Sequence, residues 1–333
     1  ELNNTGLSLL EMSHRSTDFI EIINEAKKLT KDLLNISDKY EILFLQGGAS
    51  LQFHMSALNF AKKGGIAGYI DTGIWSQKAI KESKKIGTTE IIASSADKNY
   101  NYIPKKIEIN KKLNYVHYTS NNTIYGTQFQ SIKNLKQQTK GTKLICDMSS
   151  DIFSREINIE DFDLIYAGAQ KNIGPAGVTL VIIKKDTIKA NNHLPTYLNY
   201  TTHIEKKSMF NTPPVFSIYV AMLTLRWIKN NGGIKNIENK NHLKAEALYK
   251  EIDRNSLFEG LTQISDRSIM NATFNIKDAK LQTYFDSMCN DAGINGIKGH
   301  RSIGGYRASM YNALELNSVH VLIEIMKHLE KKS

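Results

Sequence analysis

Two side chains occupy positions where an α/β protein does its chemistry. Asp147 closes the apolar run Leu144-Ile145-Cys146 and is followed by Met148-Ser149-Ser150. In a parallel sheet the carboxyl ends of the strands face the ligand crevice, so an acid there is placed for a site. An ordinary helix N-cap accounts for an aspartate before a turn equally well. Lys171 follows a second apolar run, Leu164-Ile165-Tyr166, and the small residues Ala167-Gly168-Ala169, with Gln170 between. Asn172-Ile173-Gly174-Pro175-Ala176-Gly177 separates it from a third apolar run. A lysine ringed by small residues between buried strands is partly desolvated, which lowers its pKa and frees an amine for nucleophilic work. The competing reading is an exposed hairpin lysine. Gly47-Gly48-Ala49-Ser50 lies between the run Glu41 to Leu45 and a helical stretch. Small residues there let backbone N–H groups approach a phosphate at the helix N-terminus. The segment matches neither GxGxxG nor a Walker loop, and a plain tight turn is the commoner explanation.

Taken together, the three features match the needs of pyridoxal 5'-phosphate. The lysine supplies an amine for the cofactor aldehyde, the acid keeps the pyridine nitrogen protonated, and the cup fixes the phosphate. Trp75, at a loop-to-helix junction, is placed to stack on the ring, although core packing is the usual fate of a tryptophan.

These residues need elements to hold them. Residues 19–34 carry Phe19, Ile22, Ile23, Ala26, Leu29, Leu33 and Leu34 at helical spacing, with Asp18 and Glu21 as a capping pair. Short apolar strands follow at Glu41 to Leu45, Gly68 to Ile70, Glu90 to Ala93, Tyr115 to Tyr118, Leu144 to Cys146, Leu164 to Tyr166 and Val178 to Ile183. Helices are expected at Leu51 to Ala61 and Ser76 to Lys85. Strands alternating with helices predict an α/β domain with a mostly parallel sheet. Beyond Pro213-Pro214 come a helix over 215–229, a break at Asn230-Asn231-Gly232-Gly233 and a long polar helix to about Ile252. A strand near Ile269 to Ile276, a helix near Leu281 to Ala292, a strand pair around Ile303 to Tyr311 and a helix from Ser318 to Glu330 complete an α+β C-terminal domain. The boundary is set near residue 232: 1–232 large and cofactor-binding, 233–333 small.

Composition bounds the rest. With 333 residues, 41% of them hydrophobic and 23% charged, the chain is an ordinary globular protein and not a disordered or fibrous one. No run approaches the roughly 20 apolar residues of a membrane-spanning helix. The formal charge of +10 favours anionic partners. Its lysines are scattered in pairs without a zinc-finger or RNP pattern, so they read as a solvated surface and not as a nucleic-acid arm. Cys146 and Cys289 form no CxxC pair, which excludes a disulfide framework or zinc ribbon and fits a reducing, cytoplasmic setting. No metal is expected.

Local motifs then carry a resemblance. Met12-Ser13-His14-Arg15-Ser16, Gln46 to Phe53, Asn121 to Gly126, Tyr166 to Gly177, Asn211-Thr212-Pro213-Pro214, and Lys298-Gly299-His300-Arg301 with Gly304 to Ser309 occur in order along nearly the whole chain. By them the sequence resembles the phosphoserine aminotransferases, class V fold-type I pyridoxal phosphate enzymes. The resemblance implies a large domain with a mostly parallel mixed sheet and a smaller α+β domain. Lys171 becomes the Schiff-base lysine and Asp147 the pyridine-nitrogen partner, with Trp75 stacked on the ring. Thr123, Ser149 and Gln170 contact the cofactor, and Ala49 and Ser50 bind its phosphate through backbone N–H groups. Asn211 and Thr212 reach the phosphate from a second subunit, which implies a homodimer with shared active sites. His14, Arg15, His300 and Arg301 resemble the distal-anion site, and Arg307 the α-carboxylate ligand.

The implied reaction is reversible transamination of O-phospho-L-serine and 2-oxoglutarate in serine biosynthesis, and of 4-phosphohydroxy-L-threonine in pyridoxine biosynthesis. Arginine suits both anions of such substrates because its planar fork pairs two oxygens at once. Two departures stand out. The sequence starts after the Phe-Ser-Ala-Gly-Pro segment with which the family normally begins, and it has Ala49-Ser50 where some relatives carry Gly-Arg. Rival readings are an aminotransferase for another amino acid, a cysteine desulfurase, and a basic nucleic-acid-binding protein on an old enzyme fold.

Overall fold

The computed structural model describes residues 6, 8–188 and 193–333. Nine strands build the first part of the chain: β1 (Tyr40–Leu45), β2 (Ile66–Asp71), β3 (Thr88–Ser94), β4 (Leu113–Thr119), β5 (Asn121–Asn122), β6 (Thr127–Gln128), β7 (Lys143–Asp147), β8 (Leu164–Gly168) and β9 (Thr179–Lys184). Seven of them form one sheet in the order β1-β9-β8-β7-β4-β2-β3. β9 pairs antiparallel with both β1 and β8, and every other pairing in this sheet is parallel. Reversing β9 alone leaves β1 running with the rest. The carboxyl ends of β1, β2, β4, β7 and β8 therefore share one rim.

Helices cover both faces, as a mostly parallel sheet requires. These are α1 (Thr17–Leu33), α2 (Gly48–Phe60), α3 (Ile74–Ile86), the short α4 (Lys133–Gln138) and α5 (Tyr200–Glu205), and α6 (Val215–Asn230). Alternate strand residues sort to opposite sides. Ile42, Phe44, Leu144 and Cys146 join Phe19 and Ile23 of α1 and Ala221 and Leu225 of α6 in one core. Leu43, Leu45 and Ile145 join Phe53 and Phe60 of α2 and Ile80 of α3 in another. The second core also holds Tyr69, Tyr115 and Tyr166, all fully buried. Tyr69 and Tyr115 share a hydroxyl–hydroxyl hydrogen bond of 3.0 Å, and His117 bonds the Tyr166 hydroxyl at 2.7 Å.

The C-terminal part has its own core. A three-stranded antiparallel sheet of β10 (Phe258–Gly260), β11 (Asn271–Ile276) and β12 (Tyr306–Ser309) packs against α7 (Gly233–Arg254), α8 (Gln282–Asp291) and α9 (Leu316–Lys332). Ile234 and Ile237, in the first turns of α7, lie in the large core, whereas Ala245, Leu248 and Ile252 lie in the small one.

Several expectations change in detail. The α1 cap is Ser16, whose Oγ accepts from the Phe19 amide at 3.3 Å, while Asp18 lies within the first turn. α2 begins at Gly48, so the glycines start the helix. One strand, β12, replaces the expected pair at 303–311, because residues 299–305 form a loop closed by Gly299 donating to the Gly305 carbonyl at 2.8 Å. A Cβ on Gly299 would stand 1.9 Å from the Gly304 oxygen, so only glycine fits there.

Candidate active site

Asp147 is the last residue of β7 and is 4% exposed. Its Oδ1 accepts from the Ser149 amide at 2.9 Å and from the Ser149 hydroxyl at 2.6 Å. No helix follows Asp147, so this is a local turn and not the helix N-cap that the sequence also allowed; Oδ2 has no hydrogen-bond partner among the described residues. Burial pushes the carboxyl above the usual carboxylate value, against the Ser149 hydrogen bonds and the charge of Lys171. Ser149 is itself fixed, since its Oγ accepts from the Gly168 amide at 3.1 Å. The β7 and β8 ends are thereby tied together.

Lys171 leaves β8 through a turn in which the Ile173 and Gly174 amides both close on the Ala169 carbonyl. Its half-buried amine lies 5.7 Å from the centre of the Trp75 ring. Withdrawal from water lowers the amine below the ordinary lysine value, Asp147 opposes that, and Arg307 adds to it. Trp75 sits in the first turn of α3 and donates from Nε1 to Thr123 Oγ1 at 3.1 Å. Arg307, on β12, donates from Nη1 to the Thr123 carbonyl at 3.5 Å, and its buried Nε has no hydrogen-bond partner among the described residues. Asp147, Ser149, Lys171, Trp75, Thr123 and Arg307 thus come together from β7 and β12, from the segments that follow β5, β7 and β8, and from the start of α3.

At the β1 end, Gly47 adopts φ +88 and a Cβ there would strike Leu51. Leu51 is the first amide of α2 to close, on the Gly47 carbonyl at 3.2 Å. The amides of Gly48, Ala49 and Ser50 therefore point out of the first turn, a ready anion site. Gln46, just before them, donates to the Thr212 carbonyl at 2.9 Å and accepts from Asn211 Nδ2 at 3.4 Å, so this chain's own Asn211 and Thr212 flank the same turn. Gln170 is exposed.

His14, Arg15, His300 and Arg301, expected at a distal-anion site, are less gathered. Arg15 and Arg301 are exposed, His14 and His300 half-buried. His300 bonds Ser302 Oγ through Nδ1 at 2.7 Å. Within the described residues of one chain, no hydrogen bond or ion pair joins these four to Lys171.

The residues present fit pyridoxal 5'-phosphate: an unpartnered oxygen on a buried acid, a desolvated amine, an indole face, and open amides at a helix start. Sequence reasoning missed the support behind Trp75. Asp71 ends β2 as Asp147 ends β7, yet its carboxylate is taken up by Ser76 Oγ at 3.0 Å, the Tyr100 hydroxyl at 3.1 Å, and weaker contacts to the Gly73 amide and Ser94. The strand-end position was visible in both; only the structure separates the saturated acid from the open one. Among the described residues no group of three His, Cys, Asp or Glu could hold a metal ion.

Comparison with known proteins is consistent with this geometry. The family model described as aminotransferase class-V matches residues 2–322. A phosphoserine aminotransferase of Flavobacterium psychrophilum is 54% identical over 100% of this chain and 92% of its own length. One from Parabacteroides distasonis is 52% identical over 98% of this chain and 91% of its own. The solved phosphoserine aminotransferase of Bacillus circulans superposes with a TM-score of 0.95 at 42% identity, covering 100% of this chain and 92% of that one. A solved structure titled for radiation damage of the Schiff base in phosphoserine aminotransferase superposes at 0.96 with 44% identity, with the same coverage.

Proposed function

The chain belongs to the aminotransferase class-V family, and on that footing we propose that it exchanges an amino group between O-phospho-L-serine and 2-oxoglutarate, with pyridoxal 5'-phosphate as cofactor. The observation that carries the reading is the partly desolvated Lys171 amine, set 5.7 Å from the Trp75 ring centre in the crevice of Asp147. When bound, the cofactor supplies an aldehyde for the amine and a ring that accepts electrons from the substrate's Cα.

The chain's own groups do the rest. Asp147, with one oxygen engaged by Ser149 and the other free, would hold the cofactor's ring nitrogen in its protonated form. Ser149 keeps that carboxylate aimed. Trp75, fixed by Thr123, covers one face of the ring and excludes water. The amides of Ala49 and Ser50 receive the phosphate. Lys171 would hold the cofactor through its amine and would serve as the base that takes the proton from the substrate's Cα and returns it in the reverse half-reaction. Arg307 pairs the α-carboxylate, whose planar geometry matches its fork. His14, Arg15, His300 and Arg301 bind the far anion, a phosphate in one half-reaction and a carboxylate in the other. One site serving both half-reactions gives ping-pong kinetics.

The same pocket suits 4-phosphohydroxy-L-threonine, which carries the same two anions, and so a second role in pyridoxine synthesis. We assign the working form as a cytoplasmic homodimer in which Asn211 and Thr212 also serve the partner's phosphate cup. The flanking Phe210 and Phe216, 41% and 49% exposed, support a covered surface there, and two free buried cysteines suit a reducing compartment. The test is spectroscopic. Pyridoxal 5'-phosphate added to the protein should give a visible band that O-phospho-L-serine bleaches, and Lys171→Ala should remove the band. A band unchanged in that variant overturns the assignment.

A further inference from the structure

A buried polar seam runs behind the crevice. Asn172, next to Lys171, is 4% exposed and spends its whole side-chain amide. Nδ2 donates to the Ser150 and Ile152 carbonyls at 3.3 and 3.2 Å, in the segment after β7. Oδ1 accepts from the Asn312 amide at 3.0 Å, just beyond β12. Asn312, 5% exposed, donates from Nδ2 to the Phe153 carbonyl at 2.9 Å. Its Oδ1 accepts from Asn241 Nδ2 at 2.9 Å, and Asn241 also donates to the Ser154 carbonyl at 3.0 Å. The exit of β12 is held further by the Met310 amide on the Met270 carbonyl at 2.7 Å and by Lys244 Nζ on the Met310 and Tyr311 carbonyls at 3.1 and 2.9 Å. Phe153, fully buried, holds φ at +59, a conformation that a bulky residue keeps only when its surroundings over-determine it.

We infer that Asn172 and Asn312 are positioning residues that fix Arg307 relative to Lys171. The inference rests on the role proposed above for Arg307. Lys171 turns into the crevice while its neighbour anchors the same turn to the strand that presents the guanidinium. A buried amide with every donor and acceptor engaged is costly to shift, because any displacement strands a buried polar group. The two parts therefore keep one spacing between amine and carboxylate clamp, and whatever orders the Lys171 turn is felt at β12.

The test uses the full chain with pyridoxal 5'-phosphate, comparing wild type with Asn172→Ala. Asn172→Asp is a second variant that keeps the shape and loses donation to the two carbonyls. Hydrogen exchange over residues 306–312 should slow about tenfold on cofactor binding in the wild type, and the variants should lose that slowing while still giving the cofactor band. KM should rise about tenfold for amino donor and oxo acid alike, with cofactor affinity unchanged. Cofactor-dependent slowing that persists in both variants, or KM values that stay within about twofold of wild type, would overturn the inference. If the wild type gives no cofactor band, the proposed function fails. The seam is then decided by the Asn312 amide alone, whose exchange must quicken about tenfold in Asn172→Ala, which removes its acceptor, and an unchanged rate there refutes it.

Discussion

Asp147→Asn separates two roles that the carboxylate plays in opposite directions. Asparagine keeps an oxygen for the Ser149 amide and hydroxyl, so the local turn survives. What disappears is the charge on the face that has no protein partner. Two unit charges about 4 Å apart at an effective dielectric near 20 attract by about 4 kcal/mol. If that attraction to a protonated ring nitrogen is felt in the transition state, its loss slows Cα proton removal by about three orders of magnitude. The assay is a single-turnover absorbance trace after mixing the loaded variant with O-phospho-L-serine. A slowing of less than about tenfold in a folded, loaded variant would refute the electrostatic argument.

The cofactor-free chain should respond the other way. Burial raises the Asp147 carboxyl above its ordinary value, so between the ordinary and the raised pKa the folded chain binds more protons than the unfolded one. This group's contribution to stability falls as pH rises through that window, and at neutral pH its charge opposes folding. Thermal melts at pH 7 without cofactor should show Asp147→Asn as stable as wild type or more so. A clear drop in Tm would mean that the second carboxylate oxygen also has a protein partner.

Three further outcomes follow from the geometry. Thr123→Val removes the acceptor for the Trp75 indole and should weaken cofactor affinity by about 1 kcal/mol, read by titrating the visible band. Gly299→Ala drives a Cβ into the Gly304 carbonyl and should open the 299–305 loop, raising KM for the phosphorylated donor about tenfold or more while cofactor affinity holds. Burial lowers the Lys244 amine to about 8, so between roughly pH 8 and the free lysine value near 10.5 the folded chain binds fewer protons than the unfolded one. The Tm advantage of wild type over Lys244→Met should therefore grow from pH 7.5 to pH 10, and a constant difference would deny the shift.

Much of this was legible because burial on both faces writes strands as short apolar runs, and those runs fall in β1 to β4 and β7 to β9 with small shifts at their ends, whereas the two-residue polar strands β5 and β6 carry no such signal. Asp147 stood out for the same reason, as an acid closing such a run, and Lys171 by the small residues on either side of it. The direction of β9 was not taken from the sequence, although the connection over 169–178 carries no helix and a parallel crossover ordinarily needs one. The Ser16 cap was missed because capping depends on backbone angles that Ser16 and Asp18 both suit by composition. The seam was invisible: Asn172, Asn241 and Asn312 are unremarkable singly, and nothing local announces that three distant asparagines meet. The same holds for Asp71, which composition cannot tell from Asp147.

The reversed strand also bears on how the polypeptide is made. Among the described residues, Tyr40 to Leu45 pairs in the main sheet only with Lys184 to Thr179. During translation that apolar segment emerges long before its complement. At about 5–20 residues per second the delay is on the order of ten seconds. Through that interval an unpaired, sticky edge protrudes from the ribosome, and α1 and α2 can shield only its flanks. Early shelter by a holding chaperone would limit aggregation of the nascent chain, and slowing synthesis should lower the soluble yield.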